Sequence, residues 1–110
     1  MSRRIDRVNK HIQRTFGEIL QTEADLPGDA LVTVSGVETT HNLQSATVWL
    51  SVLPSDRAEV VVKSLKKQLY ELQGSLNRQL ELKILPRIYL KIDKGAEYAE
   101  KIDRRLNKLA

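Results

Sequence analysis

The chain has 110 residues, 41% of them apolar, and a formal net charge of +4. That length sets one domain with one core, and the basic balance points toward nucleic acid or another polyanion. Cysteine is absent, which excludes disulfides, thiolate chemistry and Cys-based metal sites.

Ile5, Val8, Ile12, Phe16 and Ile19 recur at spacings of three and four, so a helix is predicted from about Arg4 to Ala24. On its wheel Arg3, Arg7, Lys10 and Arg14 fall roughly 140–200° from Ile5, a row of cations opposite an apolar stripe. Asp25-Leu26-Pro27-Gly28-Asp29 is turn chemistry. Leu31-Val32-Thr33-Val34 reads as a strand. Val37 is out of phase with it, and Gly36 lies in the slip, so a bulge is expected there. Ser45 to Leu53 is the second strand, with Ala46, Val48, Leu50 and Val52 on one face and Thr47, Trp49 and Ser51 on the other. The two strands pair as an antiparallel hairpin. Pro54-Ser55-Asp56 is a helix entry that Ser55 or Asp56 would cap. Val61, Leu65, Leu69, Leu72, Leu76 and Leu80 then keep helical spacing as far as Pro86, with a bend or a two-helix break near Gly74. Ile88, Leu90 and Ile92 alternate with Tyr89 and Lys91 as a third strand, and Tyr98, Ile102, Leu106 and Leu109 form a short last helix. The order defines an α+β two-layer sandwich with both main helices on one face of a three-stranded sheet.

Charge is segregated along this order. Glu23, Asp25, Asp29, Glu38, Asp56 and Glu59 face only Arg57, whereas Lys63, Lys66, Lys67, Arg78, Lys83, Arg87 and Lys91 face only Glu71 and Glu81. Like charges that cluster give a field direction. The first-helix row, with Arg4 beside it, suits bidentate phosphate contact. Lys63, Lys66 and Lys67 are candidate phosphate contacts on the second helix. Tyr70 among them either stacks on a base or packs along lysine stems, and the packing role is expected. Arg78, Lys83 and Arg87 flank a helix–strand junction that suits a groove edge. Lys101, Arg104, Arg105 and Lys108 stripe the last helix and complement its dipole. Trp49 and Tyr89 fall on the face away from the helices. RNA-reading sheets use such aromatics, but this one lacks their aromatic-rich glycine motif, so packing of a partly covered sheet is expected. His11 and His41 are isolated, so no metal site is expected, and no nucleophile–base set or glycine-rich phosphate loop stands out. No signal peptide and no run near the ~18 residues of a membrane span is visible, so a soluble, cytoplasmic protein without membrane association is expected.

In order and spacing, Arg4-Ile5-x-Arg7-Val8, Glu18-Ile19-Leu20, Leu31-Val32-Thr33-Val34-x-Gly36-Val37-Glu38, Leu43-x-x-Ala46-x-Val48-x-x-Ser51-Val52, Leu80-x-Leu82-x-x-Leu85-Pro86 and the late Asp93, Glu97-Tyr98 and Lys101-Ile102-Asp103 resemble the ribosome-binding factor A family over nearly the whole chain. The resemblance implies one type II KH-like domain over residues 1–110, α-β-β-α(bent)-β, with residues 95–110 as a helical extension. No two glycines are three apart, so the GXXG clamp of RNA-binding KH domains is absent. The family carries an Ala-x-Gly kink instead. Here that triplet falls on Gln68-Leu69-Tyr70, and Gly74 lies four residues after Tyr70. What the resemblance implies for function is a nonenzymatic factor without cofactor. It would bind immature 30S subunits and 16S rRNA, support late rRNA maturation and growth in the cold, act as a monomer off the ribosome, and leave with help from a ribosome-associated GTPase. A generic KH-like module with another RNA target, or a domain that meets an acidic protein partner, are the alternatives.

Overall fold

The structure, a computed structural model, describes residues 3–95. Within them the chain forms α1 (Arg3–Thr22), β1 (Leu31–Thr39), β2 (Ser45–Leu53), a short 3-10 turn (Ser55–Arg57), α2 (Ala58–Gln79) and β3 (Arg87–Ile92). The expected last helix lies outside the described residues.

The sheet order is β1-β2-β3, with β1 antiparallel to β2 and β3 parallel to it. The helical crossover explains the parallel pair, since only a long connection returns a strand in the same direction. Val32 pairs with Val52 and Val34 with Leu50, and the register then slips, so that Gly36 faces Trp49 and Val37 faces Val48. This is the bulge that the phase of Val37 predicted. It returns Val37 to the core side, where it is buried beside Val32.

Alternation fixes which face of the sheet is covered. Ala46, Val48, Leu50 and Val52 of β2 and Ile88 and Leu90 of β3 are buried under the helices. From above, Val8, Ile12, Phe16, Ile19 and Leu20 of α1 and Val61, Val62, Leu65, Leu72 and Leu76 of α2 close the same core. Phe16, Ile12, Val61 and Leu65 are fully buried. Full burial of side chains this size stabilises by roughly 1.5–3 kcal/mol each.

Both sheet edges are closed by side-chain amides from the helices. Gln13 Nε2 donates to the Val34 carbonyl at 3.2 Å and Gln21 Nε2 to the Val32 carbonyl at 3.2 Å. Asn9 and Thr39 bond through their side chains at the far end of β1. On the opposite edge the Ile88 N–H donates to Gln73 Oε1 at 2.8 Å, and Gln73 Nε2 donates to the Pro86 carbonyl at 3.1 Å. Edge strands otherwise offer unpaired backbone groups to other chains.

Two local expectations fail, and a third loses one of its alternatives. The N-terminal residue of α2 is capped by neither Ser55 nor Asp56. Arg57 occupies that position with no side-chain capping bond, because the 3-10 turn feeds straight into the helix. Secondly, α2 passes through both Gln68-Leu69-Tyr70 and Gly74 as one helix, so of the expected bend or break the break does not form. A Cβ at Gly74 would meet only the Arg78 guanidinium at 3.4 Å, so close packing does not demand glycine there. Thirdly, α2 stops at Gln79, well short of Pro86. Leu80 turns extended at ψ 128° and is still buried, so the core captures it without the helix.

Candidate nucleic-acid interface

The apolar stripe of α1 faces the sheet, and its opposite side is therefore solvent. Arg3, Arg4, Arg7, Lys10 and Arg14 are all exposed. From Arg3 to Arg14 the row spans about 16 Å of helix axis. Asp6 and Glu18 are exposed at its margins. Among the described residues the row makes no ion pair. The ion pair that is formed joins Arg57 to Asp29, Nε to Oδ2 at 3.2 Å, with a hydrogen bond from Nη2 to Oδ1 at 3.3 Å. It lies in the acidic stretch and occupies that stretch's single base, while the cations of α1 stay available.

On α2, Lys63, Lys66 and Lys67 are exposed, opposite the buried Val61 and Leu65. Lys66 lines a hollow of about 510 Å³ with Trp49, Val62, Leu90, Lys91, Ile92 and Lys94. The hollow wraps the outer edge of β3 and gathers three ammonium groups. Sequence reasoning counted Lys91 in the basic segment but did not seat it with Lys66, and it passed over Lys94. The signal for Lys91 was its alternation with Leu90. Placing it beside Trp49 needed the parallel register, which pairs those two residues.

Tyr70 is 91% exposed. Its expected packing along lysine stems is therefore absent, and the ring stands free. It lines a second hollow of about 410 Å³ with Leu69, Gln73, Asn77, Leu85, Arg87 and Ile88. It also borders a third, of about 570 Å³, which includes Arg78 and Glu23. Arg78 is exposed but engaged. Its Nη2 donates to Ser75 Oγ at 3.0 Å, and that hydroxyl donates to Glu23 Oε1 at 2.6 Å. The Glu23 carboxylate thus offsets part of the charge that Arg78 would bring to a phosphate. Lys83 is exposed on the connection before β3 and lines none of these hollows. Arg87 projects from the first residue of β3 on the helix-free side, its guanidinium 5.8 Å from the Tyr89 ring centre.

The sequence-derived cations therefore fall into two sets. Lys66 lines the hollow around Trp49 and Lys91, and Arg87 lines a different one beside Tyr70, both between α2 and β3. The α1 row is a separate exposed face, and none of these three hollows includes it. Chemically, both sets offer donors to phosphate oxygens, and the hollows add aromatic and apolar walls. Among the described residues no group of three or more His, Asp or Glu is placed to hold a metal ion, and no helix is long and apolar enough to cross a membrane.

Comparison with known proteins agrees with this architecture. The family model described as Ribosome-binding factor A matches residues 4–106. A relative of that name from Roseiflexus castenholzii is 36% identical, over 100% of this chain and 86% of its own length. The crystal structure of ribosome-binding factor A from Thermus thermophilus superposes with a TM-score of 0.70 at 19% identity, covering 80% of this chain and 94% of that one. A homology model of the Thermus thermophilus factor, fitted into a cryo-EM map of a 30S complex, gives a TM-score of 0.63 at 20% identity over 79% and 92% of the two chains.

Proposed function

The chain belongs to the ribosome-binding factor A family, and on that premise we propose that it docks on the immature small ribosomal subunit through contacts with 16S rRNA. The observation that carries this reading is the exposed α1 row Arg3, Arg4, Arg7, Lys10 and Arg14, free of ion pairs among the described residues. Each phosphate it neutralises releases counterions, so binding falls steeply with salt. Lys63, Lys66 and Lys67 of α2 and Arg87 of β3 extend the contact, and Arg78 and Lys83 add cations near the connection between the two elements. The 30S complex of the Thermus thermophilus factor supports the same kind of partner.

The action is binding without bond-making. A binder that favours one arrangement of immature rRNA shifts the population toward it by its differential affinity. Support of 16S end maturation, support of growth in the cold, and release with help from a ribosome-associated GTPase are the finer parts of this proposal. It includes a cytoplasmic monomer off the ribosome.

The test is sedimentation of lysate and of purified 30S particles with the full chain. The reading expects cofractionation with free 30S particles and little with 70S ribosomes. Arg7→Glu with Arg14→Glu should abolish it at moderate salt and lower the slope of log K against log salt by about 0.7–0.9 per lost phosphate contact. Binding unchanged by the double reversal would sink the role of the row. Association that survives nuclease would place an acidic protein, not RNA, opposite it.

A further inference from the structure

The helix-free face of the sheet bears two aromatic rings that docking through the helices does not use, and Arg87 stands between this face and the hollow beside Tyr70. Alternation turns Thr47 and Trp49 of β2 and Arg87, Tyr89 and Lys91 of β3 outward, since Ala46, Val48, Ile88 and Leu90 are buried on the other side. Both rings carry a cation. The Arg87 guanidinium lies 5.8 Å from the Tyr89 ring centre, and Lys91 Nζ lies 5.7 Å from that of Trp49. The register sets Tyr89 beside Thr47 and Lys91 beside Trp49. Two residues along a strand and one strand across place the Trp49 and Tyr89 backbones about 8 Å apart. Of the three strands, only β1 brings an acid to this face, Glu38 opposite Thr47.

We propose that this face is a second RNA contact, which takes two successive unpaired nucleotides, one base on Tyr89 and one on Trp49, with Arg87 and Lys91 serving the phosphates. It rests on the reading that the partner is ribosomal RNA and extends that contact past the β3 edge onto the helix-free face. A base in a duplex has both π-faces covered by its neighbours and cannot reach a ring on a sheet, whereas a splayed base can. A cation over an exposed ring is held weakly, so a base displaces it or sandwiches it, and a guanidinium plane is itself a stacking surface. An acidic peptide would satisfy Arg87 and Lys91 and leave both rings without a partner. RNA satisfies all four. Tyr89 is 46% exposed, so its ring is open before any partner arrives.

Trp49 is the only tryptophan in the chain; its emission reports on this face and on the hollow it shares with Lys66, and the Tyr89 variants tell the two apart. The full chain is titrated with an unstructured single-stranded RNA of about ten nucleotides, a length of the order that one such platform covers. Binding is followed independently by the anisotropy of a label on the RNA, at roughly 50 and 200 mM salt. Saturable quenching that tracks the anisotropy is expected. Tyr89→Ala should weaken binding by roughly 5- to 140-fold with an unchanged salt slope, the loss of one stacked base. Tyr89→Leu, which keeps apolar bulk, should lose a similar factor. Lys91→Gln should lower the salt slope by about 0.7. Binding with unaltered Trp49 emission, or either Tyr89 variant equal to wild type, overturns the contact and leaves docking through α1 untouched. Equal quenching by poly-glutamate overturns RNA as the occupant, and no binding of the oligonucleotide overturns the contact outright. Loss of 30S cofractionation with oligonucleotide quenching intact is the separate failure of the docking reading.

Discussion

Gln73→Met should destabilise the protein by about 2 kcal/mol, although it removes no charge and almost no volume. In the folded chain the Gln73 amide accepts from the Ile88 N–H at 2.8 Å and donates to the Pro86 carbonyl at 3.1 Å and to Asn77 Oδ1 at 2.9 Å. Each bond contributes roughly 0.5–1.5 kcal/mol net, and a buried group left without its partner costs about 1–3 kcal/mol. Ile88 is 1% exposed, so water reaches its amide poorly once the glutamine is gone. The Pro86 carbonyl and Asn77, nearer the surface, rehydrate and lose less. Methionine preserves the packing length, so the loss reads on the hydrogen bonds and not on a cavity. Urea denaturation should show a lower midpoint at constant slope. In a thermal scan the shift should be roughly 8–16 °C for a domain of this size. Amide exchange at Ile88 should accelerate beyond that of its neighbours. Gln73→Glu keeps the acceptor, so in that variant the Ile88 amide should stay protected while the Pro86 bond is lost. Stability within about 0.5 kcal/mol of wild type for Gln73→Met, with Ile88 still protected, would refute the assignment of the β3 edge to this side chain.

Gly74→Ala should stabilise by about 0.5–1 kcal/mol, because the position is helical and a Cβ would touch only Nη1 of Arg78 at 3.4 Å, an ordinary contact; a destabilised variant in urea would show that α2 needs glycine there. Tyr70→Ala should leave the stability measured in urea within about 0.5 kcal/mol of wild type, since the ring is 91% exposed. Any loss of RNA affinity in that variant, measured by filter binding above moderate salt, then reports stacking and not unfolding.

What sequence reasoning reached, it reached where a side-chain period was strong. The out-of-phase Val37 placed the bulge, and the uninterrupted alternation from Ser45 to Leu53 placed β2 to the residue. The α1 row was legible because a single helix face decides it. The end of α2 was not. Leu80 keeps helical phase with Leu76 and also begins an alternation with Leu82, and only the core chooses between the two. The environment of Tyr70 was misjudged for a related reason: three neighbouring lysines supply stems, but on a convex helix surface those stems point into water. The Lys91–Trp49 pair joins residues from strands separated by the whole of α2, so no local window holds both. Arg78 likewise reads as free in any window that omits Glu23.

β2 holds the middle of the sheet, and none of its nine residues is charged. Its first neighbour arrives from the preceding hairpin, yet Arg87, which pairs with Ser45, follows 42 positions later in the chain. As the protein emerges from the peptide exit tunnel, one flank of this apolar ribbon waits bare until α2 and β3 have followed. Residues 45–53 are therefore the segment through which nascent copies would stick to one another. Chaperone demand during synthesis should centre on that interval, and it should ease once Gln73 has latched the late strand in place.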